Sequence, residues 1–365
     1  MGRFNREKNM RSSRTVRKIS ALVLVFIMAA TVLTGCGSGG SSKESNEAPG
    51  TIISETDNDF VMVDMAGREV TLKKNPESIA ICYRVVTRVL LSLGMRDKIT
   101  GIGQTDKFID VLAPEFKDCS QIGLGVADVE AVAELGPDLY FGNATDIEGL
   151  DTLEEVGIPA VGISIETPEE IVQAIDVMGK ACGKEERAGE LIEYYNSQLA
   201  ESDELVAGID EKDKKTAIVM GSSIGKVADG SMLQGRMLEH AGAVNCAAEL
   251  EAAELWPTAG TEQIFAWNPE YIFLTNSSSS TYSREDIMND PAWADVKAVK
   301  NNHVYLMPSD LDSWEFPGVV SALGIDFMIS KMYPDLMTDQ QLEENKDEFY
   351  QMCYDRTFSR EELGY

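Results

Sequence analysis

The sequence predicts an α/β protein of two lobes, each built on a central, mostly parallel β-sheet, joined by a single long α-helix and enclosing a ligand cleft. Three features carry this prediction: a helix–proline–strand unit that occurs twice, an alternation of buried strands with helices, and a long amphipathic segment near the middle. Alternation of this kind favours parallel sheets because each parallel strand needs a crossover, usually a helix.

The helix–proline–strand unit begins at Glu130 and again at Glu262. In each copy a short helical segment opens with the glutamate, ends at Gly136 or Asn268, and is followed by proline and a β-rich run. Glycine and asparagine tolerate the left-handed conformation that commonly ends a helix. The repeat predicts two lobes on one plan, and clefts between lobes are common ligand sites.

In the first lobe, a β-hairpin is followed by strands that alternate with helices. Short apolar, β-branched runs predict the strands, and glycines mark the helix ends. The predicted elements are the hairpin Phe60–Val63 and Glu69–Leu72, strand Ser78–Tyr83, helix Val86–Leu93, strands Ile99–Ile102 and Leu139–Phe141, helix Gly149–Val156 and strand Ala160–Ile163.

The connection between the lobes follows a capping box at Thr167, which starts a helix. A second helical stretch runs from Glu185 to about Val206, roughly 30 Å at 1.5 Å per residue. The second lobe is predicted to contain strand Thr216–Met220, helix Met232–His240, strands Tyr271–Leu274 and Val304–Met307, a helix from Pro317 to about Met332, and terminal helices capped at Thr338 and Ser359.

The first 35 residues have the pattern of an export signal. A basic stretch precedes the apolar run Ala21–Leu33, which is shorter than the roughly 20 residues that span a bilayer. The run ends Leu33-Thr34-Gly35-Cys36, which resembles the lipobox of bacterial lipoproteins, so Cys36 is the expected lipidation site and extracytoplasmic anchor. An ordinary secretory signal with an incidental cysteine is the alternative.

These boundaries give five predicted segments. They are a lipoprotein signal peptide over 1–35, a flexible tether over 36–58 whose part Gly37–Pro49 is Gly/Ser/Glu-rich, an N-terminal α/β lobe over 59–184, a linker helix over 185–210, and a C-terminal α/β lobe with terminal helices over 211–365.

Composition argues against several classes of function. With 61 acidic and 32 basic side chains the net charge is −29, which opposes binding to nucleic acid. The cysteines after Cys36 are odd in number and scattered, so they indicate neither a disulfide framework nor a zinc site. Only His240 and His303 could supply the histidine ligands that bare Zn²⁺ prefers. We therefore expect no protein-bound metal and no cofactor.

Four stretches, Ala127–Tyr140, Lys184–Leu199, Trp256–Phe273 and Trp293–Tyr305, resemble substrate-binding lipoproteins of ABC importers, in the class III periplasmic-binding-protein family that serves iron–siderophores, haem and cobalamin. The resemblance implies a monomer whose partner is a permease dimer with its ATPase. It also implies that one glutamate on each lobe pairs with arginines of the permease. Glu130 and Glu262 match those positions. Alternatively, each is only a helix-start acid favoured by the helix dipole.

The same resemblance places ligand-stacking aromatic residues at Trp256 and Trp314, since aromatic faces offer large contact areas to planar chelates. A core role is the alternative for each. Tyr83 and Arg84 lie at the carboxyl end of a predicted strand, the edge where α/β sheets bind ligands, and Arg84 suits an anion. A surface ion pair is the other possibility for Arg84.

Two further candidates, Asn143 and Asp310, occupy comparable loops after strands. One pattern suggests an enzyme: Gly221-Ser222-Ser223-Ile224-Gly225 fits the G-x-S-x-G nucleophile elbow, with His303 as a nominal base. An elbow needs a helix directly after the serine, and the glycines that follow here delay one. We therefore expect no catalytic residue.

The expected function is capture of an iron chelate, a ferric siderophore, and its delivery to the permease. Haem or a cobalamin-type corrinoid is the nearest alternative ligand, and a molybdate-type oxyanion is a more distant one. Two functions of a different kind are also compatible with the sequence: a membrane-tethered serine hydrolase, and a receptor subunit that reports ligand to a sensor kinase.

Overall fold

The computed structural model describes residues 43–250, 255–276 and 279–365, all within a compact unit that spans Gly40–Tyr365. The predicted signal peptide, Cys36 and the start of the predicted tether lie outside the described residues. Among the helices that are described, none combines the length and the apolar character needed to cross a membrane.

A four-stranded antiparallel sheet precedes the first lobe, with strand order β1-β4-β3-β2. Its strands are β1 (Lys43–Glu44), β2 (Ile52–Glu55), β3 (Asp59–Val63) and β4 (Arg68–Lys73). The β3–β4 pair confirms the predicted hairpin. The prediction of a flexible tether is wrong for β1 and β2, because β1 pairs with β4 and β2 pairs with β3, which satisfies their backbone groups.

The first lobe contains a five-stranded parallel sheet of order β7-β6-β5-β8-β9. Its strands are β5 (Ile79–Ile81), β6 (Ile99–Ile102), β7 (Ser120–Gln121), β8 (Leu139–Asn143) and β9 (Ala160–Ile163). Its helices are α1 (Arg84–Ser92), α2 (Lys107–Leu112), α3 (Val129–Leu135), α4 (Ile147–Glu155) and α5 (Pro168–Cys182). The predicted strand–helix alternation is confirmed.

The predicted long helix is α6 (Glu185–Val206), a continuous segment of 22 residues. It packs along α5 on one side, and the Tyr195 hydroxyl lies 3.0 Å from the Ser321 hydroxyl on the other, within hydrogen-bond distance. Because both contacts are buried, α6 is fixed to both lobes along its length.

The second lobe has a four-stranded parallel sheet of order β11-β10-β12-β13. Its strands are β10 (Thr216–Met220), β11 (Val244–Asn245), β12 (Tyr271–Leu274) and β13 (Val304–Leu306). Its helices are α7 (Leu233–His240), α8 (Thr261–Trp267), α9 (Arg284–Asn289), α10 (Lys297–Lys300) and α11 (Ser321–Met332). The helix predicted to start at Pro317 begins at Ser321 instead, because turns occupy the preceding residues.

The predicted repeat is confirmed as α3–β8 in the first lobe and α8–β12 in the second. Each helix ends at a residue in the left-handed region, Gly136 with φ of 60° and Asn268 with φ of 50°. Both strands lie in the interior of their sheets. The two lobes therefore share the same local design around these units.

The terminal helices α12 (Asp339–Tyr354) and α13 (Arg360–Leu363) start at the predicted capping boxes. They do not belong to the second lobe alone. The Phe108 ring of α2 packs edge-on against Tyr350, Tyr354 and Phe358. Arg187 of α6 donates one hydrogen bond to the carbonyl of Ser92 and another to that of Met352. The end of the chain thus returns to the first lobe, and one apolar core runs through both lobes.

Candidate ligand-binding cleft

A cavity of about 350 Å³ lies between the lobes, where the loops that follow the strands of both sheets meet. This is the edge at which open α/β sheets bind ligands. The first lobe lines it with Tyr83, Arg84 and Glu166, and the second lobe with side chains that include Gln234, Trp256, Glu315 and Phe316. Its volume is within the range of sites for small organic ligands, about 300–1,000 Å³.

Tyr83 lies between β5 and α1, and its hydroxyl donates a hydrogen bond of 3.0 Å to Glu166. Burial, and secondarily the charge of Glu166, raise the pKa of Tyr83, so the phenol is neutral. The Glu166 carboxylate itself follows β9 and was not anticipated from the sequence. Together the two residues form a polar wall with its hydrogen bond already made.

Arg84 begins α1 and is the cationic side chain of this wall. Its Nε is 3.7 Å from the Asp106 carboxylate, too far for a hydrogen bond, whereas Arg88 approaches the same oxygen at 2.8 Å. Burial lowers the pKa of Arg84, although a guanidinium stays charged in proteins. The guanidinium lies 5.2 Å from the centre of the Phe316 ring, a cation–π distance. Because the Asp106 carboxylate is paired mainly with Arg88, it neutralises the charge of Arg84 poorly.

Trp256 forms part of the opposite wall, where the sequence placed it; its stacking on a ligand stays a prediction. Its φ of 59° is unusual for a bulky residue and fixes the ring against Gly221. A β-carbon added to Gly221 would lie 2.7 Å from the indole, so only glycine fits there. The first glycine of the elbow-like motif therefore serves packing around Trp256.

Trp314 lies away from the cavity, and the expectation that it lines the cleft is wrong. Its side chain is fully buried, its indole N–H donates to the Tyr350 hydroxyl at 2.9 Å, and its ring centre is 4.8 Å from that of Tyr365. The terminal segment thus completes an aromatic core around it. The aromatic residue that this loop presents to the cavity is Phe316, two positions later.

Asn143 and Asp310 also do not line the cavity, so their expected ligand contacts are wrong. The Asn143 side chain accepts hydrogen bonds from the backbone and hydroxyl of Thr145, which closes the turn before α4. Asp310 is exposed and lies against α13, with its backbone N–H 3.3 Å from the carbonyl of Leu363. Each is held by local structure that a strand-end rule cannot anticipate.

Glu315 is the residue of the cleft that the sequence reasoning missed most clearly. It is 1% exposed, and burial raises its pKa to about 7. The Gln234 amide donates to its backbone carbonyl at 2.9 Å. Glu315 is next to Trp314 in a loop after a strand, so the sequence indicated that this loop lies near the cleft. The sequence does not indicate which side chain of the loop reaches the cavity.

The two candidate docking residues, Glu130 and Glu262, both lie in the first turn of their helices, α3 and α8, and both are exposed. Among the described residues, no ion-pair partner is seen for either carboxylate. The two carboxylates therefore occupy equivalent, accessible positions in the two copies of the repeat.

The elbow-like motif has no catalytic geometry. Ser223 is followed by a turn, and the next helix, α7, starts only at Leu233. His303 precedes β13, whereas Ser223 follows β10, and the strands of this sheet are parallel. The two side chains therefore lie at opposite edges of the sheet, and His303 instead stacks on Tyr271 at 4.4 Å.

Two similar α/β lobes, one connecting helix and a cleft between the lobes form the architecture expected of a solute-binding protein. Residues 79–311 match the family model described as periplasmic binding protein, and the chain belongs to that family. Proteins similar to it bind solutes and are not enzymes, which confirms the expectation of binding without catalysis.

Three curated relatives are similar over most of their length. An uncharacterized ABC transporter substrate-binding lipoprotein, YvrC, of Bacillus subtilis is 24% identical over 88% of this chain and 99% of its own. The molybdate-binding protein MolA of Haemophilus influenzae is 26% identical over 81% and 91%. An Fe(3+)-citrate-binding protein, YfmC, of B. subtilis is 23% identical over 84% and 94%. The solved structure of MolA, with 22% identity, covers 82% of this chain and 99% of its own with a TM-score of 0.70.

Proposed function

We propose that this chain is the substrate-binding subunit of an ABC importer and that it captures an iron chelate of the ferric siderophore class. The observation that carries this proposal is the interlobe cavity, in which a poorly neutralised guanidinium, Arg84, faces the aromatic surfaces of Trp256 and Phe316. A cation beside aromatic faces suits a ligand that is both anionic and planar in its parts.

The size of the cavity argues against a small oxyanion as the ligand. A tetrahedral oxyanion would leave most of about 350 Å³ unfilled and would not use the aromatic wall. Molybdate nevertheless remains the second candidate, because a relative at 26% identity is a molybdate-binding protein. Haem and corrinoids are large planar chelates and would use the same aromatic wall as a siderophore.

The test is an absorbance spectrum of the protein purified from its native host, followed by titration of the emptied protein with a ferric siderophore, haem, a corrinoid and molybdate. Ferric chelates, haem and corrinoids have distinct visible bands. We expect bands of a ferric chelate and quenching of tryptophan fluorescence. A haem or corrinoid spectrum, or tight binding of molybdate alone, would contradict the siderophore proposal.

Delivery to the permease is proposed to use Glu130 and Glu262, whose matched, exposed positions support a partner with two-fold symmetry.

Membrane attachment is proposed to use a lipid on Cys36, in line with the lipobox-like sequence. Cys36→Ser should release the protein into the medium. A variant that stays on the membrane after a salt wash would place the anchor elsewhere.

A further inference from the structure

We propose that Glu315 is a ligand-binding residue that acts as a neutral carboxyl donor, giving a hydrogen bond to an anionic oxygen of the ligand that Arg84 also attracts. Capture of the ligand would then depend on a proton held by the protein. This inference rests on the proposed function and narrows its ligand to a net-negative, oxygen-rich chelate.

The first support is an unmade hydrogen bond. Glu315 lines the cavity and is buried, and its Oε1 accepts a long bond of 3.4 Å from the backbone N–H of Asn276. Its Oε2 is inaccessible to water and has no hydrogen-bond partner in the described part of the chain. A buried carboxyl oxygen without a partner is costly, so a rotation of this lining side chain that brings the oxygen to a ligand group in the cavity would recover that energy.

The second support is the balance of charge around the carboxyl. From α1, Arg88 lies 2.8 Å from the Asp106 carboxylate and 3.4 Å from the Asp312 carboxylate, so two acids already share its charge. Asp312 belongs to the same loop as Glu315 and repels it as an anion. Arg84 is the other cation on α1, and Glu166 is the acid on the same first-lobe wall of the cavity, across from Glu315. A surplus of acids in a buried cluster favours the protonated form of Glu315.

The consequence for binding follows from the hydrogen-bond chemistry of a neutral carboxyl. It carries one O–H donor, whereas a carboxylate only accepts. The burial that raises the pKa of Glu315 to about 7 makes the donor form available at neutral pH. An anion beside it would stabilise the proton further. Affinity for such a ligand should therefore be highest below about pH 7 and fall by up to about tenfold per pH unit above it.

The test compares the wild-type chain with Glu315→Gln, whose amide donates at every pH, and with Asp326→Asn as a matched control. Asp326 is another buried acid with a raised pKa, about 6, but it bonds Asn345 and Ser202 outside the cavity. Dissociation constants would be measured by tryptophan fluorescence from pH 5.5 to 9, with a ferric tris-catecholate and molybdate as anionic probes and cyanocobalamin as a chelate without net charge.

We expect affinity for an anionic probe to fall with pH in the wild type and in Asp326→Asn, and to be flat in Glu315→Gln. A wild-type profile that survives in Glu315→Gln would overturn the inference, as would binding of cyanocobalamin alone. Infrared spectroscopy of the ligand-free protein shows independently whether Glu315 carries the proton. The protonated-carboxyl band should be present at pH 6 and be reduced in Glu315→Gln.

Failure of the inference and failure of the proposed function give different results. A missing infrared difference between wild type and Glu315→Gln rejects the neutral carboxyl even if the probes bind. Failure of every probe to bind the wild type at any pH counts against the proposed ligand class, and the infrared band then still decides whether Glu315 holds the proton.

Discussion

The two lobes agree on their outer surfaces and differ on the surfaces that face each other. Outside, α3 and α8 present Glu130 and Glu262 at equivalent places. Inside, the first lobe supplies the cation Arg84, whereas the second supplies Trp256 and the loop of Glu315. A partner with two-fold symmetry requires similar outer surfaces, but a single asymmetric ligand does not require similar inner ones. The two copies are therefore alike at the two glutamates, and the lobes differ in the cleft.

The sharpest way to break this comparison is to remove both outer charges. We expect Glu130→Ala with Glu262→Ala to abolish most ligand uptake, because the charge-assisted contacts that orient the protein on its permease would be lost. Ligand affinity should stay within error. Uptake by whole cells and ligand titration measure the two effects.

The matched control is Glu134→Ala, an exposed acid farther along α3. Glu→Arg at both positions should be worse than alanine, since the new arginines would face the like charges expected on the permease. Full uptake by the double variant would leave these glutamates as ordinary helix-start acids.

Trp256 and Trp314 sharpen the comparison because one faces the cleft and the other the core. Trp314→Ala should lower the free energy of unfolding by about 3–5 kcal/mol, the usual cost of a cavity left by a large buried ring. Trp256→Ala should instead weaken ligand binding by about 1–3 kcal/mol. Urea unfolding and ligand titration of both variants separate the two roles. A loss of stability in Trp256→Ala together with a loss of binding in Trp314→Ala would contradict the assignment.

Buried carboxyls in both lobes should make the stability depend on pH. Burial raises the pKa of Asp312 and Asp326 to about 6, and that of Glu315 and of Glu154 in the first lobe to about 7. A carboxyl whose pKa is higher in the folded state stabilises the fold below its unfolded pKa, near 4, and this stability is lost as the pH rises through 6–7.

The free energy of unfolding should therefore fall between pH 5 and pH 8, and each of these groups contributes about 1.4 kcal/mol per pH unit between pH 5 and its raised pKa. Asp326→Asn should show a smaller fall than the wild type. Urea unfolding at both pH values measures this, and stability that increases over the same range would show that these acids are ionised in the fold.

The smallest expected effect is the change of shape on binding. Since α6 is continuous and Phe108 packs on the terminal aromatic residues, the lobes are connected at two places that resist hinge bending. Small-angle scattering should show nearly the same radius of gyration with and without ligand. A clear compaction would mean that one of these connections opens.

Most of the fold followed from local signals in the sequence. The repeat, the alternation of strands and helices, and α6 depend on residues close together in the chain, such as Gly136 ending α3. The exceptions are β1 and β2, which are exposed and pair only because the hairpin is beside them. Composition alone therefore described this segment as a tether.

The cleft was predictable only to the level of the loop. Tyr83 and Arg84 were found because they directly follow a buried strand, where the backbone dictates their position. In the loop after β13 the sequence chose Trp314, but the cavity receives Glu315 and Phe316. That choice is made by Tyr350 and Tyr365, which hold Trp314 in the core from distant positions in the chain. Such contacts leave no local pattern.

The return of α12 to the first lobe limits how this protein can exchange parts with its relatives. In a recombinant that joins the first lobe of one family member to the second lobe of another within α6, Phe108 and its aromatic partners would come from different proteins. Those partners here are Tyr350, Tyr354 and Phe358. The inherited unit is therefore not the lobe. It is the first lobe together with the last segment of the chain, so chimaeras that swap both should fold where single-crossover hybrids fail.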